Sequence, residues 1–367
     1  MTDRLDRSKL ILRPLADRTN RVEIEKQSVG CGNREFTLSD AGHHAVEAIS
    51  STIIRARRAD RPVVMAFGAH LIKNGLSATL RSLIEPGWIT HLATNGAGII
   101  HDWEFARFGR SSEHVEQNVR EGTFGLWNET GMYLNLAIIV GAYEGLGYGE
   151  SIGSMVCNDG LMIPERSKLI DEIRALSGGT ARTAAAADLL WAIDTFGLEQ
   201  GFLRVEHPYK RFGLQSAAFE LGVPFTAHPM FGHDIIYVHP WNLGAAVGRT
   251  AEADFLSFAD SITRIDGGVY LSIGSAVMSP MIFEKSLAMA QNLAIQRGDH
   301  IDDFDIMVVD LAESAWDWTQ GEPPADDPAY YVRFMKSFSR MGGRLTYVQA
   351  DNRAFLTTLC RMLREKA

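Results

Sequence analysis

Seven short, almost wholly apolar runs recur along the chain: VVMAF (63–67), ITHLAT (89–94), VPFTA (223–227), DIIYVH (234–239), VYLSI (269–273), DIMVVDL (305–311) and LTYVQA (345–350). A strand with one wet face alternates apolar and polar residues, so uniformly apolar runs are the mark of strands covered on both sides. Between most of them lie stretches of helical periodicity, at 72–85, 184–198, 212–221, 248–262, 281–296 and 353–365. Residues 41–58 form another amphipathic helix, whose basic last turn suits its dipole. The alternation predicts an α/β fold: a doubly wound, mainly parallel, Rossmann-like sheet with helices on both faces.

Residues 1–40 are polar and weakly periodic, and read as an N-terminal extension packing on the surface or on a partner subunit. Residues 41–367 read as a single α/β domain, with the Gly-rich stretch 141–160 and the segment 321–328 as loops within it. A net charge of −9 argues against a nucleic-acid partner, since phosphate binding needs a clustered basic surface. No run approaches the ~18 apolar residues that span a bilayer, and the N-terminal apolar stretch is too short for a signal peptide. No membrane partner and a cytoplasmic location are therefore expected. Cys31, Cys157 and Cys360 are widely spaced without a CxxC pair, which indicates neither a disulfide framework nor a zinc ribbon.

In a parallel sheet, ligands bind beyond the carboxyl ends of the strands, so the residues that follow each run matter most. After ITHLAT comes Asn95-Gly96-Ala97-Gly98, where glycines let backbone approach a pyrophosphate and a helix start attracts anions. The full GxGxxG spacing is missing, and a plain tight turn also fits. Gly274-Ser275-Ala276, Ala312 and Ala350-Asp351 follow other runs, and Asp351 suits a helix N-cap. The segment 312–331 places Glu313, Asp317 and Glu322 among Trp316 and Trp318, a combination that suits an organic cation as well as it suits an acidic surface loop. His228, His233 and His239 cluster without any standard metal spacing, so no metal is expected.

Three blocks then resemble the deoxyhypusine synthase family: 67–104, which includes the TNGAG turn; VPFTAHPMFGHDIIYVH (223–239); and LSIGSAVMSPMI (271–282). Weaker similarity continues through 308–314 and 347–355. The resemblance implies a deoxyhypusine synthase-like, NAD-dependent homotetramer acting on a polyamine, with aminobutyl transfer from spermidine to a small amine. It places NAD on His70, Thr94, Asn95, Gly96, Ala97, Gly98, Gly274, Ser275, Ala276, Ala312, Ala350 and Asp351. It places the amine on Asp234, with Glu313, Trp316, Asp317, Trp318 and Glu322 as further candidates, and an imine-forming lysine on Lys336. The family's catalytic histidine falls on Pro280, and a glutamate after the turn becomes His101. Two alternatives stay open: an inactive protein that binds NAD or another ligand on this scaffold, and an NAD enzyme of unrelated chemistry using His101, His228 or His233 as acid or base.

Overall fold

The computed structural model describes residues 4–176 and 179–366, which divide into two compact units. One, the sheet unit, comprises Gln27–Gly98, Glu220–His228 and Phe255–Ala367; the other, the helical unit, comprises Met1–Lys26, Ile99–Phe219 and Pro229–Asp254. The polar lead-in of 1–40 is shared between them.

The sheet unit carries β1 (Val63–Phe67), β2 (His91–Thr94), β3 (Phe225–Ala227), β4 (Val269–Ile273), β5 (Asp305–Asp310) and β6 (Arg344–Gln349), all parallel, in the order β6-β5-β4-β1-β2-β3. β1 and β4 at its centre are buried at every residue, as their unbroken apolar sequences require. Side chains alternate between the two faces. Val64, Ala66, Tyr270, Ile306 and Val308 join the core beneath the helices Met278–Gln296 and Arg333–Phe338. Tyr270 stacks on Phe283 there, with ring centroids 4.0 Å apart. The sheet also packs on Asp40–Arg58 and Asn352–Lys366.

The helical unit is built around Asn128–Glu144, whose central residues Leu134–Gly141 are all buried. A helix that is apolar all round shows no amphipathic period, which is why no helix is expected there from the sequence. The Gly-rich stretch 141–160 is likewise not a loop: it ends that helix and contains a second, Tyr148–Asn158. The run DIIYVH is not a strand. Ile235–Val238 is a single 3-10 turn, entered through Gly232 at φ +82° and pinned by the Asn135 amide, which donates to the Ile236 carbonyl at 3.0 Å. Arg18 from the lead-in forms a buried, two-pronged ion pair with Glu104, at 2.8 and 2.7 Å. Burial opposes ionisation of Glu104, but the Arg18 guanidinium outweighs it and holds the carboxyl below its usual range.

The cysteines also depart from expectation. Cys31 and Cys360, 329 residues apart, are joined as a disulfide within the sheet unit, with Cα atoms 5.8 Å apart. Such a pair leaves no local spacing signal because only the closed fold brings its halves together. Among the described residues, no helix is long and apolar enough to cross a membrane, and no group of three His, Cys, Asp or Glu is placed to hold a metal.

Candidate functional site

The sheet order reverses between β1 and β4: from β1 the chain proceeds to β2 and β3 on one side, and from β4 to β5 and β6 on the other. From there the chain turns to opposite sides of the sheet, and such a switch point is where doubly wound sheets hold nucleotides. Gly68 and Gly274 line this exit. A Cβ on Gly68 would stand 2.2 Å from the Gly274 carbonyl oxygen, so only glycine lets the two chains pass. Gly274 itself has φ +56°, is exposed, and has open space where a Cβ would project. A ligand can therefore reach bare backbone at the switch point.

The neighbouring exit, from β2, is organised the same way. The Thr94 hydroxyl donates to the Phe67 carbonyl at 2.9 Å, tying the ends of β1 and β2 together. Asn95 caps the helix Gly96–Phe108 by accepting from the Gly98 N–H at 2.9 Å. A Cβ on Gly98 would lie 2.3 Å from the Thr94 hydroxyl, so this glycine is needed for the helix to start against the strand. The first amides of that helix, at Gly96 and Ala97, follow directly on the carboxyl end of β2.

The structure thus brings Thr94, Asn95, Gly96, Ala97, Gly98, Gly274, Ser275, Ala276, Ala312, Ala350 and Asp351 to one edge of the sheet. Ser275 is buried and accepts from the Ser279 N–H at 3.2 Å, in the first turn of the helix where Pro280 fills a position that needs no N–H. Asp351 is closed by Arg353, whose guanidinium and backbone N–H both donate to it; those bonds hold its carboxyl below the usual range. His70 is exposed in the short turn of helix after Gly68.

The acidic, aromatic segment is largely occupied by its own hydrogen bonds. Asp317 accepts from the N–H and hydroxyl of Thr319, Trp316 donates to the Gly321 carbonyl, and Trp318 is buried with its indole N–H on Ser314. Glu322 binds the chain's own cations, Lys336 at 2.7 Å and Arg340. Glu313 is exposed. Lys336 also sits 3.3 Å over the Tyr330 ring. Hydrogen bonds to Glu322 and Tyr330 raise its pKa, the reverse of what an imine-forming amine needs. Lys336→Ala is accordingly expected to leave NAD affinity within about twofold of wild type by calorimetry, as for any surface ion pair.

Asp234, in the helical unit, has a different environment. Its Oδ2 is buried with no hydrogen-bond partner among the described residues, and the same holds for the hydroxyls of Tyr148 and Tyr237. Burial pushes the Asp234 carboxyl up to about 7. Burial also raises both tyrosines, helped by the Asp234 charge, so they remain donors. Asp254 belongs to this group as well: its carboxylate accepts from the Gly149 N–H at 2.9 Å and adds to the raised pKa of Tyr148. The exposed ring of Phe231 leans on Tyr237 at 5.3 Å. A buried carboxylate that influences two unsatisfied hydroxyls electrostatically has the chemistry that suits an organic cation. Asp234 is a candidate from the sequence; Tyr148 and Tyr237 carry no signal there, because folding alone assembles them.

No family model and no curated protein matches the chain. Solved structures do. ArgZ in its apo form, an arginine dihydrolase from the ornithine–ammonia cycle in cyanobacteria, matches with a TM-score of 0.43 at 13% identity, over 89% of this chain and 32% of that one. AgrE in a ternary complex with ornithine and NAD+ matches with a TM-score of 0.43 at 13% identity, over 90% of this chain and 34% of that one. A protein described as LOR/SDH, from Methanococcus maripaludis S2, matches with a TM-score of 0.42 at 11% identity, over 91% and 73%. The chain spans about a third of the length of ArgZ and AgrE. At these identities the likeness is one of fold.

The resemblance to deoxyhypusine synthase is corrected: no family model and no curated protein of that family matches, and the similar structures include ArgZ, AgrE and the LOR/SDH protein. The blocks that carry the resemblance are the exits of β1, β2, β3 and β4. Strand, glycine turn and helix start recur at those places in doubly wound nucleotide folds whatever their chemistry. Spermidine, aminobutyl transfer and the homotetramer rest on the resemblance alone, and the comparisons support none of them.

Proposed function

We propose that the chain is an NAD-dependent enzyme acting on a small cationic amine or amino acid. The observation that carries this reading is the switch point of the sheet, where buried Gly68 lets the two exits pass and exposed Gly274 leaves bare backbone on the same sheet edge as the capped helix start at Asn95–Gly98. The amides of Gly96 and Ala97 would meet the pyrophosphate, and the small residues Ala276, Ala312 and Ala350 leave room along the strand ends. NAD, when bound, supplies a hydride acceptor or donor.

Within the helical unit, Asp234 by itself has the chemistry to take the ammonium group of such an amine or amino acid. An ammonium group at its carboxylate satisfies Oδ2 and restores the charged form that burial disfavours. The Tyr148 and Tyr237 hydroxyls, without partners of their own among the described residues, would donate to a second polar group on the substrate. A neutral substrate would leave the carboxyl protonated, and a metal would need more acidic ligands than this cluster holds.

The test is turnover of NAD with a panel of primary amines and amino acids of graded charge, followed by nicotinamide absorbance. Reduction of NAD with cationic members but not with their neutral isosteres is expected. Turnover indifferent to the substrate's charge contradicts the assignment of Asp234. NAD binding without turnover across the panel makes the chain a nucleotide-binding protein instead.

A further inference from the structure

Four buried groups in the sheet unit form an unbroken hydrogen-bonded string. His228, the residue after β3, has Nε2 3.0 Å from the Thr226 hydroxyl oxygen. The same oxygen lies 3.1 Å from Nε2 of His91 on β2, and Nδ1 of His91 lies 2.8 Å from Ser261 Oγ. None of the four is more than 8% exposed. Phe258 packs edge-on against both imidazoles, at 5.5 and 5.3 Å. The His228 N–H donates to the Thr94 carbonyl at 2.8 Å, which fixes this end of the string beside the Asn95–Gly98 turn.

Counting hydrogens restricts what the string can do. Burial pushes both imidazoles down to about 3, so both are neutral and each carries one ring hydrogen. The Thr226 hydroxyl has a single hydrogen and two Nε2 neighbours; the Leu92 carbonyl, at 3.5 Å, is a poorer acceptor. If Thr226 donates to His228, His91 must donate from its own Nε2, and its Nδ1 then accepts from Ser261. If Thr226 donates to His91, His228 must donate from Nε2, and His91 donates from Nδ1 to Ser261. With the Thr226 hydrogen on either imidazole rather than on the Leu92 carbonyl, the two rings hold opposite tautomers.

Passing between these two states moves one proton from end to end. A proton arriving at Nδ1 of His228 displaces the Nε2 hydrogen to Thr226, the Thr226 hydrogen to His91, and the His91 Nδ1 hydrogen to Ser261. The Ser261 hydroxyl hydrogen then leaves, so one proton enters, one departs, and no ring stays charged. Ser261 is in the last turn of its helix, among the exposed Asp260 and Arg264, which makes solvent the sink. The reverse sequence delivers a proton to the sheet edge.

We propose that His228 is the proton-exchanging group at the carboxyl edge of the sheet, with Thr226, His91 and Ser261 as its relay. The proposal rests on the NAD-dependent reading: oxidising an ammonium-bearing carbon releases one proton for each hydride transferred, and that proton needs an acceptor. Thr226, His91 and Ser261 act through His228 and are positioning residues.

Imidazole nitrogen NMR of the wild-type chain at neutral pH tests the relay without requiring activity. One ring protonated on Nδ1 and the other on Nε2 is expected, whereas the same tautomer on both overturns the proposal. The kinetic arm uses Thr226→Val, which removes the bridging hydroxyl at nearly constant volume. Its kcat is expected to fall about 100-fold, the low end for lost acid–base assistance, with KM for the amine unchanged. Thr226→Ser should restore the rate. Wild-type kcat in Thr226→Val overturns the relay even if the tautomers are opposite. Failure of NAD binding would show in calorimetry and leave the NMR result to be read separately.

Discussion

Replacing Asp234 with asparagine is expected to stabilise the chain at about pH 8 by roughly 3 kcal/mol while weakening an organic cation at least about 100-fold. The sign follows from the direction of the pKa shift. Asp234 ionises near 7 when folded, against an ordinary value of 3.8. A raised folded pKa means that the folded state holds the proton more tightly than the unfolded chain does. The associated stability is fully present below about 4 and is lost as pH rises through 7. Three units correspond to about 4 kcal/mol, and partial exposure reduces that somewhat. Asparagine keeps the shape and carries no charge at any pH, so the loss disappears.

The same residue then sets the pH dependence of binding. A cation requires the ionised carboxylate, so affinity should rise between about pH 5 and pH 7 and level off above. Tyr148 and Tyr237 stay protonated throughout, because burial raises both, and the Asp254 carboxylate only reinforces this at Tyr148. Urea denaturation and cation titration of Asp234→Asn at both ends of the range check the account. Lower stability of the variant at high pH would contradict it.

Gly68→Ala is the second large effect. The added methyl would lie 2.2 Å from the Gly274 carbonyl oxygen, and both are fixed by backbone at the ends of two central strands. No rotamer relieves that contact, so the exits of β1 and β4 must separate, at a cost of about 3 kcal/mol. The geometry of the switch point goes with it, and NAD binding should be lost. Gly274→Ala is the contrasting change. Its Cβ meets open space, so the cost is the φ +56° strain of about 1 kcal/mol. NAD binding should still fall, since the methyl covers the backbone a ligand would approach. Denaturation midpoints and NAD titrations of the two variants separate packing from access.

The sheet was legible because its strands are buried on both faces: VVMAF, VYLSI and DIMVVD stand out as apolar runs without reference to any partner. The small residues at their exits were legible for the same reason, since position after a strand already implies position at the edge. Gly68 follows directly on VVMAF, but its necessity shows only once Gly274 lies across from it. The run DIIYVH misled because apolarity is shared by strands and by short buried turns, and Asn135 decides between them from a hundred residues away. Asp234 could be singled out but not its two tyrosines, which join it from different segments. Trp316, Asp317 and Glu322 had the composition of a cation site, yet bonds to near neighbours and to Lys336 consume it.

The most direct test of the central claim is calorimetric titration of the full chain with NAD. The account predicts saturable binding of one NAD per chain, abolished by Gly68→Ala and unaffected by Lys336→Ala. Absence of binding to the wild-type chain, or full binding to Gly68→Ala, would contradict a nucleotide site at the switch point of the sheet.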